Sequence, residues 1–154
     1  MSRPAVAIAE ESPLQPEVER LIAASDAFSA SLYPAEGRHG SSVGRLASPD
    51  IRFLVVRHDG AAVGCAGLLI AAEWGELKRM FVAAEARGLG LGAALLAAVE
   101  DEARRAGLPR IRLETGPRNA AALALYTANG YQPCGAFPPY GPGPHSVFME
   151  KTLI

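Results

Sequence analysis

An α/β (α+β) domain with a mixed central sheet of about seven strands and about four helices is predicted by three observations. Short apolar runs of strand length alternate with amphipathic helix-period segments, tight turn signals separate the early runs, and a glycine-rich loop joins a strand to a long helix. The chain has 154 residues, 49% hydrophobic and 20% charged, which suits a single domain over 1–154 with a core that needs no disulfide. A formal net charge of -1 with scattered Lys and Arg supplies no field that would draw nucleic acid or an anionic membrane, so neither is expected as a partner. Cys65 and Cys134 match no metal-ligand spacing and read as two reduced core thiols, and no metal is expected. Met1 to Glu10 lacks the basic-then-apolar pattern of a secretion signal, and no apolar run approaches the roughly 20 residues that span a bilayer. The expected location is cytoplasmic.

In chain order, Ala5 to Ala9 reads as a first strand. Ser12-Pro13-Leu14-Gln15 reads as a helix start, with Ser12 as cap and Gln15 in the capping-box position. Val18, Leu21, Ile22, Ser25 and Leu32 follow at helical spacing, and the helix should end by Pro34. A polar stretch holds one short helix around Val43 to Leu46. Ile51 to His58 and Ala62 to Ile70 form a hairpin through Asp59-Gly60, and Glu73-Trp74-Gly75 leads into a third strand, Glu76 to Val82. Leu91 to Ala106 is a helix whose apolar stripe is Leu91, Ala94, Leu95, Ala98 and Val99, with Glu100, Asp101, Arg104 and Arg105 facing water. Arg110 to Glu114 is a brief strand, Asn119 to Ala128 a helix, and Tyr131 to Phe137 and Ser146 to Thr152 are the last strands. A Pro/Gly-rich loop, Pro138 to Pro144, separates those two. The order gives an antiparallel first half and a βαβ unit in the second.

Arg87-Gly88-Leu89-Gly90-Leu91-Gly92 is the most specific local feature. Glycines at alternate positions let the backbone approach a ligand and turn several amides one way, and a helix N-terminus adds the positive end of its dipole. Such a loop suits a pyrophosphate, to which Arg87 adds a charge-assisted contact. Dinucleotides and coenzyme A both carry one. Gly88-x-Gly90-x-x-Ala93 satisfies the dinucleotide fingerprint, and Glu114 stands where a ribose-binding acid would. Against that reading, several residues separate the strand from the first glycine, a meander precedes it, and too few residues follow to finish a wound sheet.

Leu77-Lys78-Arg79-Met80-Phe81-Val82 followed by Ala86-Arg87-Gly88-Leu89-Gly90-Leu91-Gly92-Ala93 resembles motif A of the GNAT (GCN5-related) acetyltransferases, with Arg87, Gly90 and Gly92 meeting its (Arg/Gln)-x-x-Gly-x-(Gly/Ala) pattern. Asn119 to Tyr131 resembles the family's next motif, Asn-x-x-Ala-x-x-Leu-Tyr…Gly-(Phe/Tyr). The resemblance covers essentially the whole chain and implies a GNAT fold, acetyl-CoA as co-substrate, and an amine as acceptor. It implies that Met80, Phe81 and Val82 present free backbone amides to the cofactor, with the Met80 amide as oxyanion donor. It implies that Arg87, Gly88, Leu89, Gly90, Leu91 and Gly92 hold the pyrophosphate. Asn119 would contact the cofactor, and Tyr126, seven residues on and on the same helix face, would lie near the sulfur and protonate the leaving thiolate.

Glu76 is the candidate base, because it begins the strand that carries Met80 and period-two alternation puts it on one face with Lys78 and Met80. Tyr33, Glu36, His39, Arg79 and Tyr140 are candidate acceptor-site residues, with Arg38 beside them. Tyr33, Glu36 and His39, together with the late Pro-Pro-aromatic-Gly loop and the Ser-Val-Phe-Met-Glu-Lys ending, resemble a small bacterial GNAT branch, some of whose members are labelled indole-acetate-type enzymes. The expected partner is a small-molecule primary amine, amino-acid-like or another metabolite. A non-catalytic acyl-CoA-binding module is the alternative, and the family's habits allow a homodimer.

Overall fold

The computed structural model describes residues 5–34 and 41–153. Glu36, Arg38 and His39 lie outside them. Strands β1 (Val6–Glu10), β2 (Ile51–His58), β3 (Ala61–Ile70), β4 (Gly75–Val82), β5 (Arg110–Thr115), β6 (Gln132–Cys134) and β7 (Val147–Thr152) form one sheet in the order β1-β2-β3-β4-β5-β7-β6. Among the described residues only β4 and β5 pair in parallel, and α3 (Leu91–Arg105) connects them. The other helices are α1 (Pro16–Leu32), α2 (Val43–Leu46) and α4 (Ala120–Ala128).

Alternation along the central strands divides the core in two. Leu54, Val56, Leu68, Leu77 and Leu113 pack with Leu95, Leu96 and Val99 of α3. Phe53, Val55 and Cys65 face the other way, against Val18, Leu21 and Ile22 of α1 and Leu46 of α2. The sheet therefore lies between α3/α4 and α1/α2. The β2–β3 hairpin turns at Asp59 and Gly60, both with positive φ (50° and 86°), as a primed turn requires. No helix among the described residues is long and apolar enough to cross a membrane.

Four expectations need correction. Helix α1 begins at Pro16 with Gln15 as N-cap, because Ser12 spends its Oγ accepting from the Leu14 amide in a local turn and the second proline takes the first helical position. On α3, Ala94 is exposed while Leu96 and Ala103 are buried, and Glu100 is buried at 6% exposure rather than facing water. The strand expected over Tyr131 to Phe137 is only Gln132–Cys134, because Phe137 leaves the edge to pack against Phe148 and Tyr140. Cys134 is half-buried, whereas Cys65 is a core thiol, and both are free.

Candidate active site

The site begins with a fault in β4. Cys65 pairs with Phe81 but Gly67 with Lys78, so Arg79 and Met80 together oppose Ala66, and Arg79 takes φ 53°. Beyond the Leu77–Leu113 pair, β4 and β5 no longer bond. A cleft of about 1030 Å³ opens at that point, at the large end of ligand sites. Met80 packs with the α3-side core and Phe81 with the α1-side core. This reverses the face expected for Met80: Glu76 and Lys78 flank the α3-side Leu77 and so share the α1 face, but the extra residue at the bulge turns Met80 away from them.

At the far wall, Gly88 and Gly90 hold φ 85° and 75°, and a Cβ on either would meet nothing within 4 Å. Gly90 is the N-cap of α3 and offers no side-chain cap, so the amides of the first turn remain as donors. Arg87, Gly88, Gly90, Leu91 and Gly92 all line the cleft, as do Met80, Phe81 and Val82. Leu89 is 55% exposed and is not part of the wall. The Arg87 guanidinium lies 5.6 Å from the Phe28 ring and 5.9 Å from the Phe81 ring, and its Nε donates to the Val82 carbonyl (3.3 Å).

Asn119 caps α4 by accepting from the Ala122 amide (3.2 Å) and also lines the cleft. Tyr126 lines it too, on the same helix, with its ring 5.8 Å from Tyr131. Burial pushes the Tyr126 phenol up to about 12.

The candidate acceptor residues divide. Tyr33 lines the cleft, and its hydroxyl accepts from the Arg118 amide (2.8 Å). Arg79 lines it as well; its Nη2 donates to Asp26 (2.7 Å) and the Ile22 carbonyl (3.2 Å), while its buried Nε has no partner among the described residues. Tyr140 and Glu76 do not line it but bind each other, the Tyr140 hydroxyl donating to Glu76 at 2.6 Å. Lys78 Nζ lies 3.2 Å from the same carboxylate and donates to the Tyr140 hydroxyl (3.0 Å). Burial, then Glu76, raises the Tyr140 phenol. Phe28, Asp26, Glu114 and His145 also line the cleft. No sequence signal pairs Asp26 of α1 with an arginine on β4, and Phe28 stands on the exposed side of α1.

The Acetyltransferase (GNAT) family model matches residues 19–131. A protein of Azospirillum brasilense named IAA acetyltransferase is 51% identical over 97% of this chain and 99% of its own. A crystal structure from Klebsiella pneumoniae, described provisionally as an acyl-CoA N-acyltransferase, superposes with TM-score 0.83 at 39% identity, covering 97% of this chain and 98% of that one. The PaiA N-acetyltransferase of Thermoplasma acidophilum, solved with coenzyme A, has the same fold at 20% identity (TM-score 0.75, covering 96% and 99%). The sheet itself argues against a dinucleotide fold, since β1 to β4 run antiparallel before the glycine loop. With its split sheet, glycine cradle and family match, the chain belongs to the GNAT family of acetyltransferases and is an acyltransferase.

Proposed function

We propose that the protein transfers the acetyl group of acetyl-coenzyme A to the primary amine of a small molecule that also carries a carboxylate. The observation that carries this reading is the opening of β4 from β5 beside a helix N-terminus, with Tyr126 and Arg79 both on the cleft wall. The residues fit the co-substrate. Gly88 and Gly90 leave open space at the first-turn amides of α3, where a pyrophosphate is neutralised by the dipole, by donors and by Arg87. Asn119 has its side-chain NH2 without a bond among the described residues and can donate to the pantetheine arm. Met80 stands on the stretch of β4 that no longer pairs with β5, and its backbone amide is the donor that can stabilise the oxyanion formed as the amine attacks. Tyr126 holds its proton through the neutral range and offers it to the departing sulfur.

Arg79 supports the carboxylate. Asp26 fixes one end of the guanidinium, and Nη1 makes no hydrogen bond to a described residue. A charge-assisted bond there is worth about 1.5–3 kcal/mol. Arg79→Asn removes the guanidinium while keeping a residue that tolerates positive φ. Its KM for amines bearing a carboxylate should rise at least about tenfold, with the KM for amines lacking one unchanged. Equal loss for both classes would show that Arg79 only braces α1.

The reading is tested by calorimetry with acetyl-CoA and by CoA release across a panel of amines; binding without amine-dependent release would instead indicate a non-catalytic module. The cradle has its own test. Gly90→Val forces φ 75° on a β-branched residue, a strain of about 1–3 kcal/mol that the loop relieves by turning its amides away. Acetyl-CoA affinity should fall at least about tenfold; an unchanged affinity would remove the loop from the binding site.

A further inference from the structure

Helices α1 and α2 pack over β2, β3 and the Phe81 end of β4. Farther along the sheet, β7 turns Met149 to the α3-side core and Phe148 to the opposite face, which the late loop covers. The loop rests there through Phe137 and Tyr140, whose rings stand 5.5 Å and 6.1 Å from that of Phe148. The Tyr140 hydroxyl reaches deeper. It donates to Glu76 Oε2 (2.6 Å) and accepts from Lys78 Nζ (3.0 Å), while the lysine and the carboxylate lie 3.2 Å apart. Glu76 is 3% exposed, so the three groups form a closed polar triad in a dry place, where charge-assisted hydrogen bonds are strong.

Gly141 to Pro144 are exposed, and the chain turns inward again at His145 and Ser146, both half-buried. His145 lines the cleft, its ring edge-on to that of Tyr33 at 6.1 Å and 66°. Tyr33 is held from its other end, where the hydroxyl accepts from the Arg118 amide (2.8 Å). The span between Tyr140 and His145 is Gly141-Pro142-Gly143-Pro144, in which two prolines fix φ, and the Ser146 amide closes a turn onto the Gly143 carbonyl (3.3 Å). So short and stiff a span passes a displacement at Tyr140 on to His145.

We propose that Tyr140 is a positioning residue for the acceptor: its hydroxyl, seated in the Glu76–Lys78 pair, sets His145 against Tyr33 and so shapes the acceptor wall of the cleft. This rests on the acetyl-transfer reading above. It gives Glu76 and Lys78, which stand off the cleft wall, a role that needs no contact with either substrate. The glycine loop and Asn119 belong to α3 and α4, so freeing the late loop should weaken binding of the amine and spare acetyl-CoA.

The test compares Tyr140→Phe, His145→Ala and the double variant in the full chain, with any amine the unsubstituted protein acetylates. Tyr140→Phe keeps the ring on Phe137 and Phe148 and removes the hydroxyl alone. Acetyl-CoA affinity by calorimetry confirms that each variant is folded. For Tyr140→Phe, KM for the amine should rise at least about fivefold, with kcat and the KM for acetyl-CoA within about twofold of the parent. His145→Ala should raise the same KM. Because Tyr140 acts through His145, adding Tyr140→Phe to His145→Ala should raise it no more than about twofold further. Losses that multiply in the double variant would mean that the two residues act separately, and the assignment is overturned. So it is if either single variant leaves the amine KM unchanged, or if Tyr140→Phe weakens amine and acetyl-CoA alike, as a general loosening of the fold would. Each of these outcomes leaves acetyl transfer intact. If the unsubstituted protein releases no CoA with any amine, the acetyl-transfer reading fails and this assignment fails with it.

Discussion

Tyr126→Phe should lower kcat by about 10²-fold while leaving acetyl-CoA affinity within about twofold. The expectation follows from what burial does to the phenol. With its pKa pushed up to about 12, Tyr126 stays protonated across the whole working range. A thiol titrates near 8.5, so complete transfer from a phenol at that value to a thiolate is uphill by about 3–4 pKa units. The phenol therefore acts mainly by donating a strong hydrogen bond to sulfur as charge develops there, worth about 1.5–3 kcal/mol. The pH dependence has a definite sign. Because the pKa is raised, activity should show no descending limb from Tyr126 until pH nears 12, and the same raised value lets the fold lose stability as pH climbs through 10 to 12. A descending limb near pH 9 that vanishes in Tyr126→Phe would show a phenol far more acidic than its burial dictates. A variant with unchanged kcat would remove Tyr126 from the chemistry altogether.

Most of the frame was legible in the sequence because local rules and the tertiary fold agree there. Asp59-Gly60 takes the positive φ values its composition suggests, Asn119 caps the helix it precedes, and the glycine loop opens α3 at Leu91. The misreadings arise where long-range packing overrides local pattern. Alternation put Met80 beside Glu76, but a bulge is a property of two paired strands, and nothing in Lys78-Arg79-Met80 marks it. Helical periodicity placed Glu100 in water because its partners, Tyr131 and Lys151, are distant in the chain and arrive only once the sheet has formed. Asp26 escapes notice as a site residue, and Glu114 is singled out only as a ribose-binding acid, for the same reason. Their positions on the cleft wall depend on how α1 and β5 meet the opened edge of β4, a geometry that no single segment encodes.

The buried Glu100 gives the largest expected effect on stability. Its carboxylate accepts from the Tyr131 hydroxyl (3.1 Å) and from Lys151 Nζ (2.9 Å), joining α3 to the end of α4 and to β7. Removing one member of a buried pair typically costs about 3–5 kcal/mol, because the other charge is left without compensation. Lys151 keeps 25% of its side chain exposed, so water recovers part of that, and Glu100→Ala should cost about 2–4 kcal/mol. In a domain of this size the loss lowers Tm by about 5–12 °C, measurable by thermal denaturation. Glu100→Gln should cost roughly half as much, because it still accepts from the Tyr131 hydroxyl. Pairing Glu100→Leu with Lys151→Met removes both charges at once, and the double variant should regain most of the loss, since a desolvated ion pair contributes little over well-packed apolar groups. Tyr131 packs on Tyr126, so Glu100→Ala should also depress kcat several-fold by loosening the seat of the phenol. That coupling separates this pair from an ordinary surface contact: a variant as stable and as active as the parent would mean that Glu100 is solvated after all.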